Sequence, residues 1–198
     1  MMLQVVEIPG CSKECSMTQF NIAVLVGSLR RDSFNAQLAH AIVKLAPADF
    51  SFKKIAIGDL PLYNQDHDAN QAPQVKKLKS EISTANGLLF VTPEYNRSVP
   101  GVLKNAIDHA SRPYGQNAWA GKPAGVIGVS IGAIGTALAQ QHLRNILAYL
   151  DVPAMGQPEA FIQANDGLFD NDGNIGDASR QFLQDWIDHY VAWVKKQA

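Results

Sequence analysis

Cysteine is scarce in this chain of 198 residues, because its two cysteines, Cys11 and Cys15, both lie within the first sixteen positions. The remainder therefore has no disulfide framework, and a chain of this length can bury a sizeable core without one. The five histidines are scattered singly along the sequence rather than placed at the spacing of metal ligands. We accordingly predict no metal site.

The chain also has no marked excess of charge and no long apolar run. Its 17 lysines and arginines nearly balance 18 aspartates and glutamates, for a net charge of −1. Nonspecific binding of nucleic acid depends on basic residues that neutralise phosphates, so we predict no nucleic-acid partner. No run approaches the roughly 18 apolar residues of a membrane span, and no basic segment followed by an apolar one opens the sequence. We therefore expect a cytoplasmic protein without membrane insertion.

Residues 1–16 show no regular pattern, and Met17 stands just before the first convincing strand. We expect residues 1–16 to form an N-terminal extension outside the folded core. Residues 17–198 contain no repeat, low-complexity tract or interior linker, and their number is usual for one domain. We expect them to form a single domain.

From Phe20 onward, short apolar runs alternate with amphipathic segments. The apolar runs predict strands at 20–26, 50–57, 87–92, 122–130 and 155–162, and the amphipathic segments predict helices at 35–46, 72–86, 99–111, 136–150 and 179–197. Strands that alternate with helices form a parallel sheet covered on both faces, because parallel neighbours need crossover connections. Five such units favour a flavodoxin-like three-layer sandwich with strand order 2-1-3-4-5.

Ligands in such a fold bind beyond the carboxyl ends of strands 1 and 3, where the strand order reverses. The segment that leaves strand 1 reads GSLRRDSFN, residues 27–35, and the segment that leaves strand 3 reads TPEYNRSVPG, residues 92–101. Two prolines bracket the polar residues of the second segment, so it cannot continue the strand that it follows. Both segments are therefore candidate parts of a binding site.

The first segment has the residues of an anion site. Gly27 permits a sharp turn, Ser28 and Ser33 offer hydroxyl groups, Arg30 offers a guanidinium, and Asn35 can cap the helix while reaching outward. The unpaired N–H groups and the positive end of the helix dipole also favour an anion. A capped turn with a solvated arginine accounts for the segment equally well.

Two familiar phosphate-binding signatures are missing. No G-x-G-x-x-G follows strand 1, and the P-loop-like stretch GQNAWAGKP at 115–123 has five residues between its glycines and a proline in place of Ser or Thr. A loop that binds through hydroxyl groups suits a terminal monophosphate such as that of FMN.

Together, GSLRRDSFN and TPEYNRSVPGVLKNAIDHASRP resemble the motifs of the NADPH-dependent FMN reductase family, and within it the bacterial NAD(P)H quinone and chromate reductases. The resemblance implies a flavodoxin-like fold, noncovalently bound FMN, NADPH or NADH as electron donor, and a homodimer or homotetramer whose subunits share each cofactor site. The cofactor-binding residues that it implies are Ser28, Arg30, Ser33, Asn35 and the backbone of Ala36 at the phosphate, with Pro93, Glu94, Tyr95, Asn96 and Ser130 at the isoalloxazine ring.

Four further residues have possible roles outside this set. Arg97 would contact the substrate or the phosphates of NAD(P)H, reach across a dimer interface, or simply be solvated. The resemblance implies subunit contacts for Arg144 and Glu159. His109 stands where relatives have tryptophan, and we assign it no role.

The implied reaction is a two-electron ping-pong transfer from NAD(P)H through FMN to a small-molecule acceptor such as a quinone or chromate. We predict no catalytic side chain, because the flavin carries the chemistry. Ser33 and Ser130 lack the G-x-S-x-G setting of a hydrolase nucleophile. The alternatives are a free-flavin reductase, an azoreductase, and a flavodoxin-type electron carrier, which the near-zero net charge disfavours.

Overall fold

The computed structural model describes residues 19–197, so the expected N-terminal extension with Cys11 and Cys15 lies outside the described residues. Its strands are β1 (Phe20–Val26), β2 (Phe50–Lys54), β3 (Gly87–Val91), β4 (Ala124–Ser130) and β5 (Phe161–Gln163). Its α-helices are α1 (Phe34–Val43), α2 (Pro73–Ser83), α3 (Gly101–Ala110), α4 (Ala137–Tyr149) and α5 (Asp177–Gln197), and a 3-10 helix covers Gln65–Asn70.

The five strands form one parallel sheet in the order β2-β1-β3-β4-β5, which confirms the predicted topology. In the register of the central strands, Val26 lies beside Val91, and Val91 lies beside Ile127. The carboxyl ends of β1, β3 and β4 are therefore neighbours at one edge of the sheet.

Helices cover both faces of the sheet, because its central strands are apolar on both sides. On one face, Leu38 and Ile42 of α1 and Trp186 of α5 pack on the sheet. On the other face, α2, α3 and α4 pack on it through residues such as Leu78 and Leu103. This is the three-layer sandwich that the sequence predicts.

β2 and β5 are shorter than predicted by three residues or more. β2 ends at Lys54 rather than at position 57, although Ile55 and Ile57 beyond its end are buried. The segment predicted as a strand at 155–162 pairs with β4 at two separate places. Ala154 forms an isolated bridge with Ala124, and regular pairing resumes only at Phe161, beyond a proline that cannot donate a ladder hydrogen bond.

Candidate functional site

The loops that follow β1, β3 and β4 meet at the carboxyl edge of the sheet. They comprise residues 27–33 (the β1 loop), 92–100 (the β3 loop) and 131–136 (the β4 loop). The Gly27 N–H donates to Val91 O at 2.9 Å. A Cβ atom on Gly27 would lie 3.2 Å from Pro93 Cδ, so the β1 and β3 loops are in contact.

The β1 loop ends in a capped helix. Ser33 is the N-cap residue of α1, and its Oγ accepts a hydrogen bond from the Ala36 N–H at 3.2 Å. The expectation that Asn35 caps the helix and reaches outward is therefore wrong. Asn35 is buried, and its side chain donates to Val129 O at 2.8 Å and accepts from Val129 N at 3.0 Å. It fixes the start of α1 to β4.

Two polar side chains of the β1 loop lie at the surface near the start of α1. Ser28 Oγ accepts from the Arg30 N–H at 3.4 Å, and the exposed Arg30 guanidinium lies 6.0 Å from the centre of the Phe34 ring. The first-turn N–H groups of a helix have no intrahelical acceptors, and the helix dipole is positive there. This set of donors fits a phosphate monoester.

The β3 loop contains a tight hairpin at Tyr95–Ser98, in which each of these two residues donates its N–H to the other's carbonyl at 3.0 Å. The central residues have left-handed backbones, with φ of 49° at Asn96 and 64° at Arg97. Two positive φ values fit a type I′ turn, which glycine and asparagine favour and arginine rarely adopts. Such backbone strain in residues other than glycine is concentrated at functional sites.

Glu94 ties this hairpin to α4. Its Oε2 accepts hydrogen bonds from the backbone N–H groups of Leu138 at 3.0 Å and Ala139 at 3.1 Å. Thr136, the N-cap residue of α4, makes no capping bond through its own side chain. The Glu94 carboxylate therefore supplies the missing cap from another element, where the helix dipole also stabilises its charge.

A second contact between the same two elements comes from the end of the hairpin. Ser98 Oγ lies 3.0 Å from Nδ1 of His142, which is on α4. The hairpin is thus attached to α4 at both of its ends. Neither partner was identified from the sequence, because each lies 44 residues away along the chain.

The β4 loop is closed on itself. The Ser130 hydroxyl donates to Gly135 O at 2.6 Å, and Gly135 has a φ of 61°. Gly128, just before this loop, sits where a Cβ atom would collide with Thr92 O and Thr136 Oγ1. The absence of a side chain at Gly128 lets the β3 loop and α4 approach β4 closely.

Exposed apolar side chains occur on all three loops. We call this set the apolar rim, and its members are Leu29, Tyr95, Ile131 and Ile134. Ile131 is 76% exposed, although its side chain is fully apolar. Exposed apolar groups around a polar cleft mark ligand or partner sites. The rim and the glycine-containing β4 loop fit a flat aromatic ring, next to the donors that fit a phosphate.

These observations match what FMN requires, a monophosphate at one end and a flat ring at the other. The sequence profile of the family described as NADPH-dependent FMN reductase matches residues 20–166. The chain belongs to this family. It is an NAD(P)H-dependent flavin oxidoreductase with FMN as its cofactor.

Individual relatives agree with the family. The chain is 58% identical to a 2-hydroxy-1,4-benzoquinone reductase from a Burkholderia species, over 88% of this chain and 96% of that protein. It is 50% identical to a quinone reductase from Pseudomonas putida, over 89% of this chain and 95% of that protein. Among solved structures, the flavoenzyme NAD(P)H:(acceptor) oxidoreductase FerB from Paracoccus denitrificans is similar, with a TM-score of 0.87 and 47% identity over 90% of this chain and 98% of that one.

Several other features of this flavin oxidoreductase lie outside the three loops. His109 is buried, with Nε2 at 2.8 Å from Pro61 O and its ring edge-to-face with Tyr63, so it has a packing role. Among residues 19–197, no helix is long and apolar enough to cross a membrane. The same residues contain no group of three or more His, Cys, Asp or Glu side chains that could hold a metal ion.

Proposed function

We propose that this protein reduces quinones by two electrons, with NAD(P)H as the donor, in a ping-pong reaction. The observation that carries the proposal is the open apolar rim around the three loops, because a flat, apolar acceptor can lie there without any specific fit. The names of the Burkholderia and Pseudomonas putida relatives support a quinone as that acceptor. When bound, FMN supplies the hydride chemistry.

The residues that we propose to hold FMN are those predicted from the sequence. The structure adds which of them would bind through a side chain and which through the backbone. Ser28 and Arg30 offer free side-chain donors to the phosphate, while Ser33, Asn35 and Ala36 contribute through the first turn of α1. The Asn35 carboxamide is buried and bonded to Val129 through both its nitrogen and its oxygen, so a contact with phosphate would come from its backbone N–H.

The ring side of the site consists of the β3 and β4 loops. Pro93, Tyr95 and Asn96 would line the ring, and the Glu94 carboxylate holds these residues in position through α4. Ser130 closes the β4 loop on itself through its hydrogen bond to Gly135 O. These residues bind, orient and exclude water, and none is required to act as an acid or base.

We also propose that residues 17–198 act as one FMN-binding domain and assemble as a homodimer or homotetramer. Arg144 and Glu159, for which the family resemblance implies subunit contacts, lie close together: Arg144 Nη1 donates to Met155 O at 2.6 Å, and its Nε lies 3.8 Å from Glu159 Oε1. Its Nε and Nη2 are buried without a hydrogen-bond partner among the described residues. This burial lowers the pKa of Arg144, against the opposing effect of Glu159. Light scattering on the purified protein, coupled to size-exclusion chromatography, would measure the assembly.

A cytoplasmic location fits the proposal, because NAD(P)H is regenerated there.

The test of the proposed function is to purify the protein, release its bound flavin by denaturation, and follow NADPH oxidation with 1,4-benzoquinone. We expect FMN in the released material and steady oxidation of NADPH that depends on the quinone. A colourless protein that takes up no FMN, or one that leaves NADPH unoxidised without a separate reductase, would contradict the proposal. Turnover of added free FMN with no quinone activity would indicate a flavin reductase.

A further inference from the structure

We propose that Arg97 makes the acceptor site selective for anionic hydroxyquinones over neutral quinones. This inference rests on the proposed quinone reduction and concerns the same site. It identifies a ligand for the guanidinium at the tip of the hairpin, which the cofactor contacts leave unexplained.

The position of Arg97 is fixed although its side chain is exposed. Its backbone is held in a left-handed turn, with a φ of 64°, by the paired hydrogen bonds of Tyr95 and Ser98. The side chain is 66% exposed and projects from the same loop as Tyr95, a member of the apolar rim. The fixed backbone of Arg97 carries an exposed positive charge beside the apolar rim. This arrangement suits the recognition of a flat anion.

The interaction between Arg97 and Glu94 leaves the guanidinium available. Arg97 Nη1 lies 3.7 Å from Glu94 Oε1, which is longer than a hydrogen bond, and the side chain makes no hydrogen bond to any described residue. Glu94 is 8% exposed, and its other oxygen accepts from the N–H groups of Leu138 and Ala139. Glu94 thus lies close enough to attract the guanidinium without accepting a hydrogen bond from it.

The chemistry of hydroxyquinones matches these donors. A 2-hydroxy-1,4-benzoquinone is a vinylogous carboxylic acid, so it is an anion at neutral pH, with the charge shared between oxygens. A guanidinium binds such an anion through two parallel hydrogen bonds, which a neutral quinone cannot match in strength. The Burkholderia relative at 58% identity is named for this substrate.

The overall reaction balances with NAD(P)H as the reductant. The hydroxyquinone anion takes a hydride equivalent, two electrons and one proton, and two further protons from water. The product is a neutral benzene-1,2,4-triol, and NAD(P)H becomes NAD(P)+. The anionic charge that Arg97 recognises is therefore absent from the product, which favours its release.

The test compares Arg97→Met and Arg97→Lys with Arg180→Met as a matched control. Arg180 is also exposed and lies 3.8 Å from a carboxylate three residues away, but it is on α5. Arginine, methionine and lysine are all unbranched at Cβ and equally disfavoured in a left-handed backbone. The substitutions at position 97 are therefore expected to leave the backbone strain there unchanged. Calorimetric titration of the oxidised holoenzyme, without NAD(P)H, measures binding of 2-hydroxy-1,4-benzoquinone and of 1,4-benzoquinone.

We expect Arg97→Met to reduce the preference for the anion about tenfold, as the loss of one charge-assisted contact predicts. Arg97→Lys should retain part of the preference, and Arg180→Met should leave it unchanged. In the wild-type protein, added salt should weaken binding of the anion more than binding of the neutral quinone. This last comparison holds even where a variant fails to fold.

Three results would overturn the proposal. One is an anion preference that Arg97→Met leaves intact, another is an equal loss in Arg180→Met, and the third is a wild-type protein that does not prefer the anion. A change confined to the KM for NADPH would assign Arg97 to the nicotinamide cofactor instead. Absence of NADPH oxidation with either quinone would refute the proposed function, whereas loss of selectivity alone would refute only the role of Arg97.

Discussion

Asn35 on α1 is bound to Val129 on β4 by both halves of its carboxamide, at 2.8 and 3.0 Å. The two residues are 94 positions apart, and both are buried. The bond pair joins the start of α1 to the strand that leads into the β4 loop. This side chain therefore helps to fix the position of the β1 loop relative to the β4 loop.

Replacing Asn35 with leucine should destabilise the protein by about 3 kcal/mol, because a buried N–H and a buried carbonyl lose their partners. Urea unfolding of the apoprotein measures the change. Gln37→Leu, on the exposed side of the same helix, is the control and should stay within about 0.5 kcal/mol of the wild type. A loss below about 1 kcal/mol in Asn35→Leu would show that the carboxamide is dispensable.

Glu94→Ala should cost about 1 to 2 kcal/mol, because it removes the acceptor of two first-turn N–H groups of α4. Glu94→Gln should fall between this variant and the wild type, since it keeps an acceptor oxygen but loses the charge. Asp188→Ala, an exposed carboxylate on α5, serves as the control in the same urea titration. Equal stability of Glu94→Ala and the control would exclude the capping role.

Gly128→Ala should cost about 3 kcal/mol, because the added Cβ would meet Thr92 O and Thr136 Oγ1 with no flexible neighbour to yield. Gly101→Ala is the matched control. Position 101 opens α3, and a Cβ there would have no heavy atom within 4 Å. Thermal unfolding should rank the control near the wild type and Gly128→Ala far below it. The opposite ranking would contradict the packing described around β4.

The buried Tyr190 should make the protein sensitive to alkali. Its hydroxyl donates to Leu88 O at 2.9 Å, and burial raises its pKa well above the ordinary value of 10.0. Above pH 10 the phenol ionises in the unfolded chain but not in the folded one. Stability should then fall with a slope of up to about 1.4 kcal/mol per pH unit from this residue.

This prediction is tested by comparing the stability of Tyr190→Phe with that of the wild type. Urea unfolding measures both between about pH 8 and pH 11. At pH 8 the variant should be about 1 kcal/mol less stable, since Leu88 O loses its donor. The difference should shrink as the pH rises, because the variant has no phenol to ionise in the unfolded state. A constant difference across this range would rule out the contribution of Tyr190.

The sequence predicted the elements and their order because the signal for each of them is local. The run from Phe20 to Val26 is a strand with the predicted bounds, and every α-helix lies within three residues of its expected ends. β5 was predicted too long because its apolar run resembles one strand. Its pairing with β4 is interrupted around Pro158. The alternation of apolar residues in the sequence does not predict such an interruption.

The residues proposed for the site were chosen through their motifs, but the motifs did not predict their contacts. Asn35 and Glu94 both bind backbone groups on elements far along the chain, and backbone groups have no sequence signature. The interaction of Arg97 with Glu94 is different, because a spacing of three residues is visible in the sequence. Only the left-handed turn at Asn96 and Arg97 shows why that spacing brings the two charges together.

The attachment of the Tyr95–Ser98 hairpin to α4 has a practical consequence for the preparation of this enzyme. Glu94 and Ser98 hold the hairpin, which we propose to line the flavin ring, through hydrogen bonds to α4 within the protein itself. We therefore expect this part of the site to keep its shape when FMN is removed. A synthetic flavin with an altered redox potential should then bind in its place without refolding of the protein.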